Sequence, residues 1–385
     1  MRKVYLDHSA TTPTRIEVLE AMLPFFNEQY GNPSSLHQYG QWTRAAIEEA
    51  RDRVAKLVGA ESEEVIFTSG GTESDNMVIK GVGFKNFEKR GHFITSKIEH
   101  KAVLEAVKFM EKLGFTATYL DVDEYGMVHP ETLKDAIRED TLLVSIMAAN
   151  NEVGTIQPIK ELVEVAHERG VLFHTDAVQA FGKIPVDVRD WDVDFLAASG
   201  HKFYGPKGIG FCFMKDSAKK KLRRLIDGGS HEVGKRAGTE NLPGIVGIAK
   251  ALELAIGELN SEPDRERALA DMLYKGLTDA LDGVSLNGHP TMRLPGFLNL
   301  SFAKVEGESM LLSLDMQGIG LSSGSACTSG SLEPSHVLTA MGLDPIRAHS
   351  SLRFTLGRQN NLEDIEYVLR VLPPLIEKLR SVSML

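Results

Sequence analysis

Three polar features of this 385-residue chain lie beside short apolar runs, and each has residue types that can do chemistry. Lys202 follows the run at residues 195–198, among small and aromatic residues, where a partly dry lysine can lose its proton and form a Schiff base. Asp176 closes the run at residues 171–175, where a carboxylate can hold a pyridinium N–H. The glycine-containing turn at residues 68–74 opens a helix pattern, so that free backbone N–H groups can face a phosphate.

Each of these features has an ordinary structural explanation when it is taken alone. Most lysines are solvated loop residues, and the turn can be a plain strand-to-helix connection capped by Thr72. The turn is neither a Walker A loop nor G-x-G-x-x-G, so nucleotide binding loses support. A lysine for an aldehyde, an aspartate for a ring nitrogen and a helix N-terminus for a phosphate are the three anchors that pyridoxal phosphate requires. Their joint presence predicts that cofactor, and we predict no metal site.

A histidine stands at the start of a further helix pattern. The imidazole of His100 could stack on the ring of such a cofactor and exchange protons near neutral pH. The alternative is a surface histidine that merely begins a helix.

The two cysteines have different surroundings, and two are too few for a disulfide framework. Cys212 lies in the apolar run at residues 209–214, which is typical of a buried strand in which a cysteine is inert. Cys327 lies among the small and polar residues 322–331, which predict an exposed loop. We therefore expect any thiol chemistry at Cys327.

Composition describes an ordinary globular protein and excludes several classes. Hydrophobic residues make up 42% and charged residues 25%, without a bias toward disorder or coiled coil. The net charge of -10 argues against nucleic acid as a partner. No apolar run approaches the roughly 18 residues of a membrane span, and the basic start Met1-Arg2-Lys3 lacks an apolar signal region. We expect a cytoplasmic protein without membrane contact.

The order of the patterns predicts an α/β fold, in which a mostly parallel central sheet is covered by helices. Helical stretches alternate with nearly continuous apolar runs from about residue 40 to 215. The helical stretches lie at residues 42–58, 73–87, 101–113 and 159–169, and the runs at 65–67, 93–95, 142–147, 171–174, 195–198 and 208–214. A break near residue 260 predicts a large domain at 15–260 and a smaller α+β domain at 1–14 plus 261–385, which carries the Cys327 loop.

The chain resembles a known family, the NifS/IscS-type cysteine desulfurases, over essentially its whole length. The motifs that carry the resemblance are Tyr5-Leu6-Asp7, Ala10-Thr11-Thr12-Pro13, Gly31-Asn32-Pro33-Ser34-Ser35, residues 68–72, Asn150-Asn151-Glu152-Val153-Gly154-Thr155, Asp176-Ala177-Val178-Gln179, residues 199–206, Arg236-Ala237-Gly238-Thr239-Glu240-Asn241, Gly324-Ser325-Ala326-Cys327-Thr328-Ser329 and Ser351-Leu352-Arg353-Phe354. So many motifs in this order are implausible by chance. The resemblance implies the aminotransferase-type fold of pyridoxal-phosphate enzymes, assembled as a homodimer.

The resemblance also implies roles around the cofactor. Lys202 would be the Schiff-base lysine, Asp176 would pair with the ring nitrogen, and Gln179 with the phenolic oxygen. His100 would stack on the ring. The phosphate would be held by Gly71, Thr72, Ser199 and His201.

Further implied roles concern the partner subunit and the substrate. Thr239 resembles the residue that such enzymes lend to the phosphate site of the other subunit. Arg353 resembles the clamp on the substrate carboxylate, with Asn151 beside it and facing both substrate and cofactor.

The implied reaction takes sulfur from L-cysteine. The substrate displaces Lys202 from the cofactor, which is the electron sink when Lys202 removes the Cα proton. Cys327 attacks the substrate sulfur as a thiolate and becomes a persulfide, alanine leaves, and His100 manages protons. The Cys327 loop then passes the sulfur to an acceptor protein, such as an iron-sulfur scaffold.

Two other functions remain open on the sequence. One is a selenocysteine lyase or another pyridoxal-phosphate enzyme of this fold, such as an aminotransferase. The loop thiol of Cys327 argues against a plain aminotransferase, but it does not separate sulfur from selenium. The other is a sulfur carrier with an idle lysine pocket, which predicts a protein without an absorbing cofactor.

Overall fold

The computed structural model describes residues 2–323 and 334–382. The strands in this part of the chain are β1 (Val4–Tyr5), β2 (Val65–Thr68), β3 (His92–Ser96), β4 (Thr116–Leu120), β5 (Thr141–Ser145), β6 (Leu172–Asp176), β7 (Phe195–Ser199), β8 (Gly210–Met214), β9 (Val284–Asn287), β10 (Phe297–Phe302), β11 (Ile319–Gly320) and β12 (Ser351–Thr355).

The helices are α1 (Ile16–Met22), α2 (Pro24–Asn27), α3 (Gln38–Val58), α4 (Gly71–Lys85), α5 (Lys101–Lys112), α6 (Pro130–Ala136), α7 (Ile159–His167), α8 (Val188–Trp191), α9 (Leu242–Gly257), α10 (Glu262–Ala280), α11 (Gly307–Asp315), α12 (His336–Ala340), α13 (Pro345–His349) and α14 (Leu362–Val382). Short 3-10 helices lie at Ser62–Glu64, Gly200–Lys202, Lys219–Lys221 and Glu232–Gly234. Within the described ranges, no helix is both long and apolar enough to cross a bilayer.

A seven-stranded sheet forms the centre of the molecule, in the order β2-β8-β7-β6-β5-β3-β4. The neighbouring strands from β7 to β4 run parallel, whereas β8 is antiparallel to both β2 and β7. Strands β2, β3, β7 and β8 are buried at every position, because helices cover both faces of the sheet. The predicted α/β class with a mostly parallel sheet is confirmed.

The predicted apolar runs correspond to β2, β3 and β5 to β8, with ends that differ by a few residues. The edge strand β4 was not singled out by the sequence pattern, because four of its five side chains are exposed or half-buried and so make no apolar run. Helices α3 and α4 begin earlier than their amphipathic patterns do, at Gln38 and Gly71.

The large clusters of buried apolar residues fall into two sets that differ in sequence position. One set, around the central sheet, consists of two clusters, which draw on residues 18–252 and 66–222. The other draws on residues 4–6 and 269–376, around an antiparallel sheet of β9, β10 and β12. A small cluster of Ile98, Met147 and Val153 with Val337 and Leu338 joins the two parts of the chain. We infer from these cores the division into units at 15–260 and at 1–14 plus 261–385.

Candidate active site

The carboxyl ends of neighbouring parallel strands bring the candidate residues to one edge of the central sheet. Strand β6 ends at Asp176, β7 leads through Ser199 into the turn that carries Lys202, and β3 leads to His100 at the start of α5. In parallel strands these ends meet at the same edge. A carboxylate oxygen of Asp176 and a ring nitrogen of His100 lie within 4.8 Å of each other, together with an oxygen of Asp75.

Asp176 and His100 are electrostatically linked. Asp176 is buried, and its Oδ1 accepts a hydrogen bond from the Val178 N–H at 2.9 Å. Burial raises the pKa of Asp176, while the charges of His100 and Lys202 oppose that rise. The Nδ1 of His100 accepts from the Ala102 N–H at 3.2 Å, which leaves Nε2 to carry the proton of the neutral imidazole. Burial lowers the pKa of His100, so this neutral form is favoured.

Lys202 points at the N-terminal segment of the chain. Its Nζ donates to the backbone carbonyls of Ser9 at 2.6 Å and Ala10 at 2.7 Å. The amide Nε2 of Gln179 donates to the same Ser9 carbonyl at 2.9 Å. The structure therefore places Lys202 and Gln179 side by side, more than 20 residues apart in sequence, against one short stretch of backbone.

The turn from β2 into α4 packs closely against the ends of β6 and β7. A Cβ on Gly71 would lie 2.5 Å from Cγ2 of Val178 and 3.8 Å from Cβ of Ser199. A Cβ on Gly70 would lie 3.5 Å from the Ser199 hydroxyl oxygen. The N-terminus of the 15-residue helix α4 and the Ser199 hydroxyl thus share one small space, which suits an anion.

His201 and Thr239 lie in different surroundings. The Nδ1 of His201 is 3.1 Å from Oγ1 of Thr11. Burial, with the nearby charges of Lys202 and Lys207, lowers the pKa of His201 to about 4, so it is neutral at pH 7. Thr239 is exposed at the surface.

Arg353 and Asn151 meet at the junction of the two hydrophobic cores. Arg353, on β12, is buried, and its Nη1 donates to the backbone carbonyl of Asn151 at 3.0 Å. Its Nη2 donates to Oδ1 of Asp7 at 2.7 Å. Its Nε has no hydrogen-bond partner among the described residues. A guanidinium with a donor left over is suited to a carboxylate ligand.

Cys327 lies outside the described residues, but the chain on both sides of residues 324–333 is described. Before that stretch, Ser322 pairs with Arg353, whose N–H donates to the Ser322 carbonyl at 2.6 Å. After it, the Ser335 hydroxyl donates to Oε2 of Glu152 at 2.5 Å, and Nε2 of His336 is 3.0 Å from the Glu99 carbonyl. Both flanks therefore lie beside the residues of the site.

The model of the class-V aminotransferase family matches residues 4–368. The chain belongs to this family. A protein from Dictyoglomus turgidum named cysteine desulfurase IscS is 56% identical over 382 residues, which cover 99% of this chain and 96% of that relative. The NifS/IscS-type resemblance is confirmed by this match.

Solved structures of related proteins agree with the assignment. A NifS-like protein superposes with a TM-score of 0.92 at 39% identity, covering 98% of this chain and 100% of its own. A structure described as SspA in complex with cysteine has a TM-score of 0.82 at 38% identity, covering 92% of this chain and 99% of its own. Class-V aminotransferases are pyridoxal-phosphate enzymes.

The residues of this class-V chain fit that cofactor. Oε1 of Gln179 is buried and has no partner among the described residues, so a hydrogen-bond donor of a ligand can satisfy it. The close approach of Gly71 to Val178 leaves no room for a side chain beside the helix N-terminus, as a phosphate cradle requires. A buried carboxylate at Asp176 suits a ring N–H.

Sequence reasoning missed two buried acids under the site, Asp75 and Glu99. The Oε1 of Glu99 accepts from the Ser96 hydroxyl at 2.6 Å and from the Met147 N–H at 3.1 Å, and burial raises the pKa of Glu99 to about 8. Oδ1 of Asp75 lies 3.5 Å from Nε2 of His174, and burial raises the pKa of Asp75 well above its ordinary value. The available signal was local: an acid beside His100, and an acid in the N-terminal half of α4.

Proposed function

We propose that this chain is a cysteine desulfurase, which releases L-alanine from L-cysteine and receives the sulfur as a persulfide on Cys327. The observation that carries the proposal is the meeting of Lys202, Asp176 and His100 at one sheet edge, in a chain whose relatives are named cysteine desulfurases. A lysine, a buried carboxylate and a histidine that is neutral at pH 7 are the groups that this chemistry needs.

Pyridoxal 5'-phosphate is the proposed cofactor. When bound, it supplies the electron sink for the charge left on Cα when its proton leaves. Asp176 would hold the ring N–H, Gln179 would pair with the phenolic oxygen, and His100 would contact the ring. The helix N-terminus at Gly71 and Thr72 would hold the phosphate with Ser199 and His201, and Asn151 would complete the pocket.

Lys202 is the proposed base for the Cα proton. Its Nζ is held by two carbonyl oxygens, of Ser9 and Ala10, which stabilise the ammonium form once that proton has been taken up. Between its removal and its return, the proton is therefore carried by Nζ of Lys202, whose position these two hydrogen bonds define. Lys202 also anchors the cofactor between turnovers.

Cys327 is the proposed nucleophile toward the sulfur of the substrate. Its thiolate forms an S–S bond while the Cβ–S bond of the substrate breaks, and Cβ takes a proton before alanine leaves. His100 is proposed to manage the thiol protons. Its neutral form, favoured by burial, can accept a proton from a thiol, and Asp176 stabilises the cation that results.

Arg353 is proposed to bind the substrate carboxylate, with Asn151 beside it. The unpartnered Nε of a buried guanidinium supports this role. The clamp sets the direction of the Cα–H bond toward Lys202, since the substrate is then held at both its amine and its carboxylate.

The working form is proposed to be a homodimer, in which Thr239 reaches the phosphate site of the partner subunit. Apolar side chains on and near α1 and α2 support a protein interface there: Leu23, Phe26, Tyr30 and Leu36 are 62%, 62%, 66% and 92% exposed. We propose a cytoplasmic protein that passes sulfur to an acceptor protein, such as an iron-sulfur scaffold.

The decisive test uses protein purified with pyridoxal phosphate. After L-cysteine and a reductant are added, the visible spectrum, sulfide and alanine are measured for the wild type, Cys327→Ala and the matched control Cys212→Ala, whose thiol is fully buried on β8. We expect a yellow wild type and Cys212→Ala that both yield sulfide and alanine. Cys327→Ala should still change its spectrum with L-cysteine but yield neither product.

A colourless protein would contradict the cofactor assignment, and a Cys327→Ala variant as active as the wild type would contradict the role of the thiol. Alanine release from L-selenocysteine, measured beside that from L-cysteine, separates a lyase that prefers selenium from a desulfurase.

A further inference from the structure

Asp7 is a charged residue at the site to which the reaction above assigns no role. It lies two residues after the end of β1, and its Oδ1 accepts from Nη2 of Arg353 at 2.7 Å. Asp7 also forms a parallel bridge with Thr355, the last residue of the strand that carries Arg353. Asp7 is thus joined to Arg353 through side chains and to the end of the same strand through backbone, although Asp7 and Arg353 are 346 residues apart.

Arg353 needs such a partner. The residue is only 4% exposed, so its guanidinium loses most of its hydration, and a counter-charge is needed to compensate for that loss. Among the described residues, Asp7 supplies the one carboxylate within ion-pair distance of it. The pair therefore keeps the cation in place, rather than adding a surface contact of little value.

The hydrogen bonds of the guanidinium also define how it can turn. Of its five N–H donors, one goes to Asp7 and one to the carbonyl of Asn151, and both bonds lie at the Nη end. Nε has no partner among the described residues. Two fixed donors at separate Nη atoms hold the plane of the group, and the Nε edge is left for a ligand.

The segment that carries Asp7 also contacts Lys202. Two and three residues after Asp7, the carbonyls of Ser9 and Ala10 accept from Nζ of Lys202. The Ser9 N–H in turn donates to the Thr355 hydroxyl at 2.9 Å, which fixes the segment to β12. The orientation of Arg353 and the position of Lys202 are therefore set by the same few residues of backbone.

We propose that Asp7 is a positioning residue for substrate recognition: it holds the Arg353 guanidinium so that its free edge meets the carboxylate of the amino-acid substrate. The inference rests on the proposed function and names the residue that orients its carboxylate clamp. Asp7 does not touch the substrate, and its effect is confined to ligands that carry a carboxylate.

The test compares two ligands in the cofactor-loaded Cys327→Ala protein, in which binding is measured without turnover. L-cysteine and cysteamine, which lacks the carboxylate, are each titrated while the visible spectrum is recorded. We expect Asp7→Asn to raise the Kd for L-cysteine about tenfold, because the orienting charge is lost, and the Kd for cysteamine less than about twofold. Arg353→Lys should raise the Kd for L-cysteine as well, and adding Asp7→Asn to it should have little further effect.

Glu363→Gln is the matched control. It removes an ion pair of the same N-terminal segment, between Arg2 and Glu363 at 2.8 Å, outside the site. Both Kd values should stay within about twofold of the starting protein, since exposed pairs contribute little. An Asp7→Asn variant with an unchanged or lower Kd for L-cysteine, or with equal shifts for both ligands, would overturn the inference.

Two further observations keep the outcomes distinct. If the Cys327→Ala protein itself gives no spectral response to L-cysteine, the proposed function fails rather than the role of Asp7. If Asp7→Asn does not fold, as judged by thermal unfolding, Asp7→Glu is titrated in its place. Asp7→Glu keeps the charge but moves it by one methylene. It should therefore still raise the Kd for L-cysteine more than the Kd for cysteamine, and equal shifts of the two Kd values would again count against the inference.

Discussion

Carboxyl groups buried beneath the site are the feature that decides its electrostatics at the scale of single residues. Asp75, Glu99 and Asp176 are all nearly inaccessible to solvent. Burial is the largest cause of the raised pKa at each of them, and the charge of Asp176 adds to the shifts at Asp75 and Glu99. Burial therefore favours the protonated forms of Asp75 and Glu99, whereas at Asp176 the charges of His100 and Lys202 oppose the effect of burial and favour the carboxylate.

The pH dependence of stability should reveal Glu99. Burial raises its pKa from 4.5 to about 8, so between these values the folded protein holds a proton that the unfolded chain has released. The stabilisation that this bound proton gives to the folded protein is complete below about pH 4.5 and is lost as the pH rises toward 8. We expect the free energy of unfolding of the wild type to fall between pH 5 and 8 more steeply than that of Glu99→Gln, by up to about 1.4 kcal/mol per pH unit.

Urea denaturation of both proteins at pH 5, 6, 7 and 8 measures this difference. Glu105→Gln is the control, because Glu105 is an exposed glutamate on α5 whose pKa is lowered rather than raised. It should keep the slope of the wild type. Parallel slopes for the wild type and Glu99→Gln would show that Glu99 is already ionised in the folded protein.

At the scale of elements, the turn between β2 and α4 depends on its fit against the end of β6. Gly71 can begin α4 at this place because it has no side chain, and Cγ2 of Val178 fills the position that a Cβ would need. Valine is stiff at χ1, so it cannot easily move aside. The Val178 N–H donates to Oδ1 of Asp176, so a shift of the Val178 backbone would also displace Asp176, the proposed partner of the ring nitrogen.

Gly71→Ala should therefore weaken the binding of pyridoxal phosphate, by about tenfold if the helix N-terminus is displaced from the phosphate. Val178→Ala, added to it, should restore most of the affinity, because the contact at 2.5 Å is removed. Titration of the apoprotein with the cofactor, followed by the visible spectrum, measures both. Gly257→Ala is the control, since a Cβ there meets nothing within 4 Å. Failure of Val178→Ala to rescue would mean that the clash is not the cause.

At the scale of the whole molecule, the exposed apolar side chains near α1 and α2 face away from both hydrophobic cores. Helix α1 packs on α9 through its buried residues Val18 and Met22, while Leu19, Leu23 and Phe26 remain exposed. Exposure of this much apolar surface to water is unfavourable, and a second copy of the chain would cover it.

Phe26→Glu should weaken the proposed dimer and, because Thr239 would then no longer reach the partner's site, lower the rate of alanine release. Sedimentation velocity and alanine release, measured at the same protein concentrations, test both effects. Leu312→Glu is the control, because Leu312 is similarly exposed, at 63%, but lies on α11 rather than on or near α1 and α2. A monomeric wild type with full activity would contradict the prediction.

The sequence by itself determined the α/β class and the positions of Asp176 and Lys202 at strand ends. Both depend on residues that are close in sequence, because an apolar run that predicts a strand is followed closely by the polar residue at the end of that strand. The same local reading found the glycine turn at Gly71, because a strand, a turn and a helix are contiguous. It did not find β4, whose half-exposed side chains leave no apolar run.

Only the tertiary structure decided which distant groups meet. Asp7 pairs with Arg353 across 346 residues, and Asp75 lies beside His174 because α4 packs on the sheet. No local pattern marks these pairs, since each residue alone reads as an ordinary charged side chain. Their partners, and the pKa shifts that burial causes, follow from the packing of segments that are distant in sequence, because burial and charge contact are properties of the packed chain.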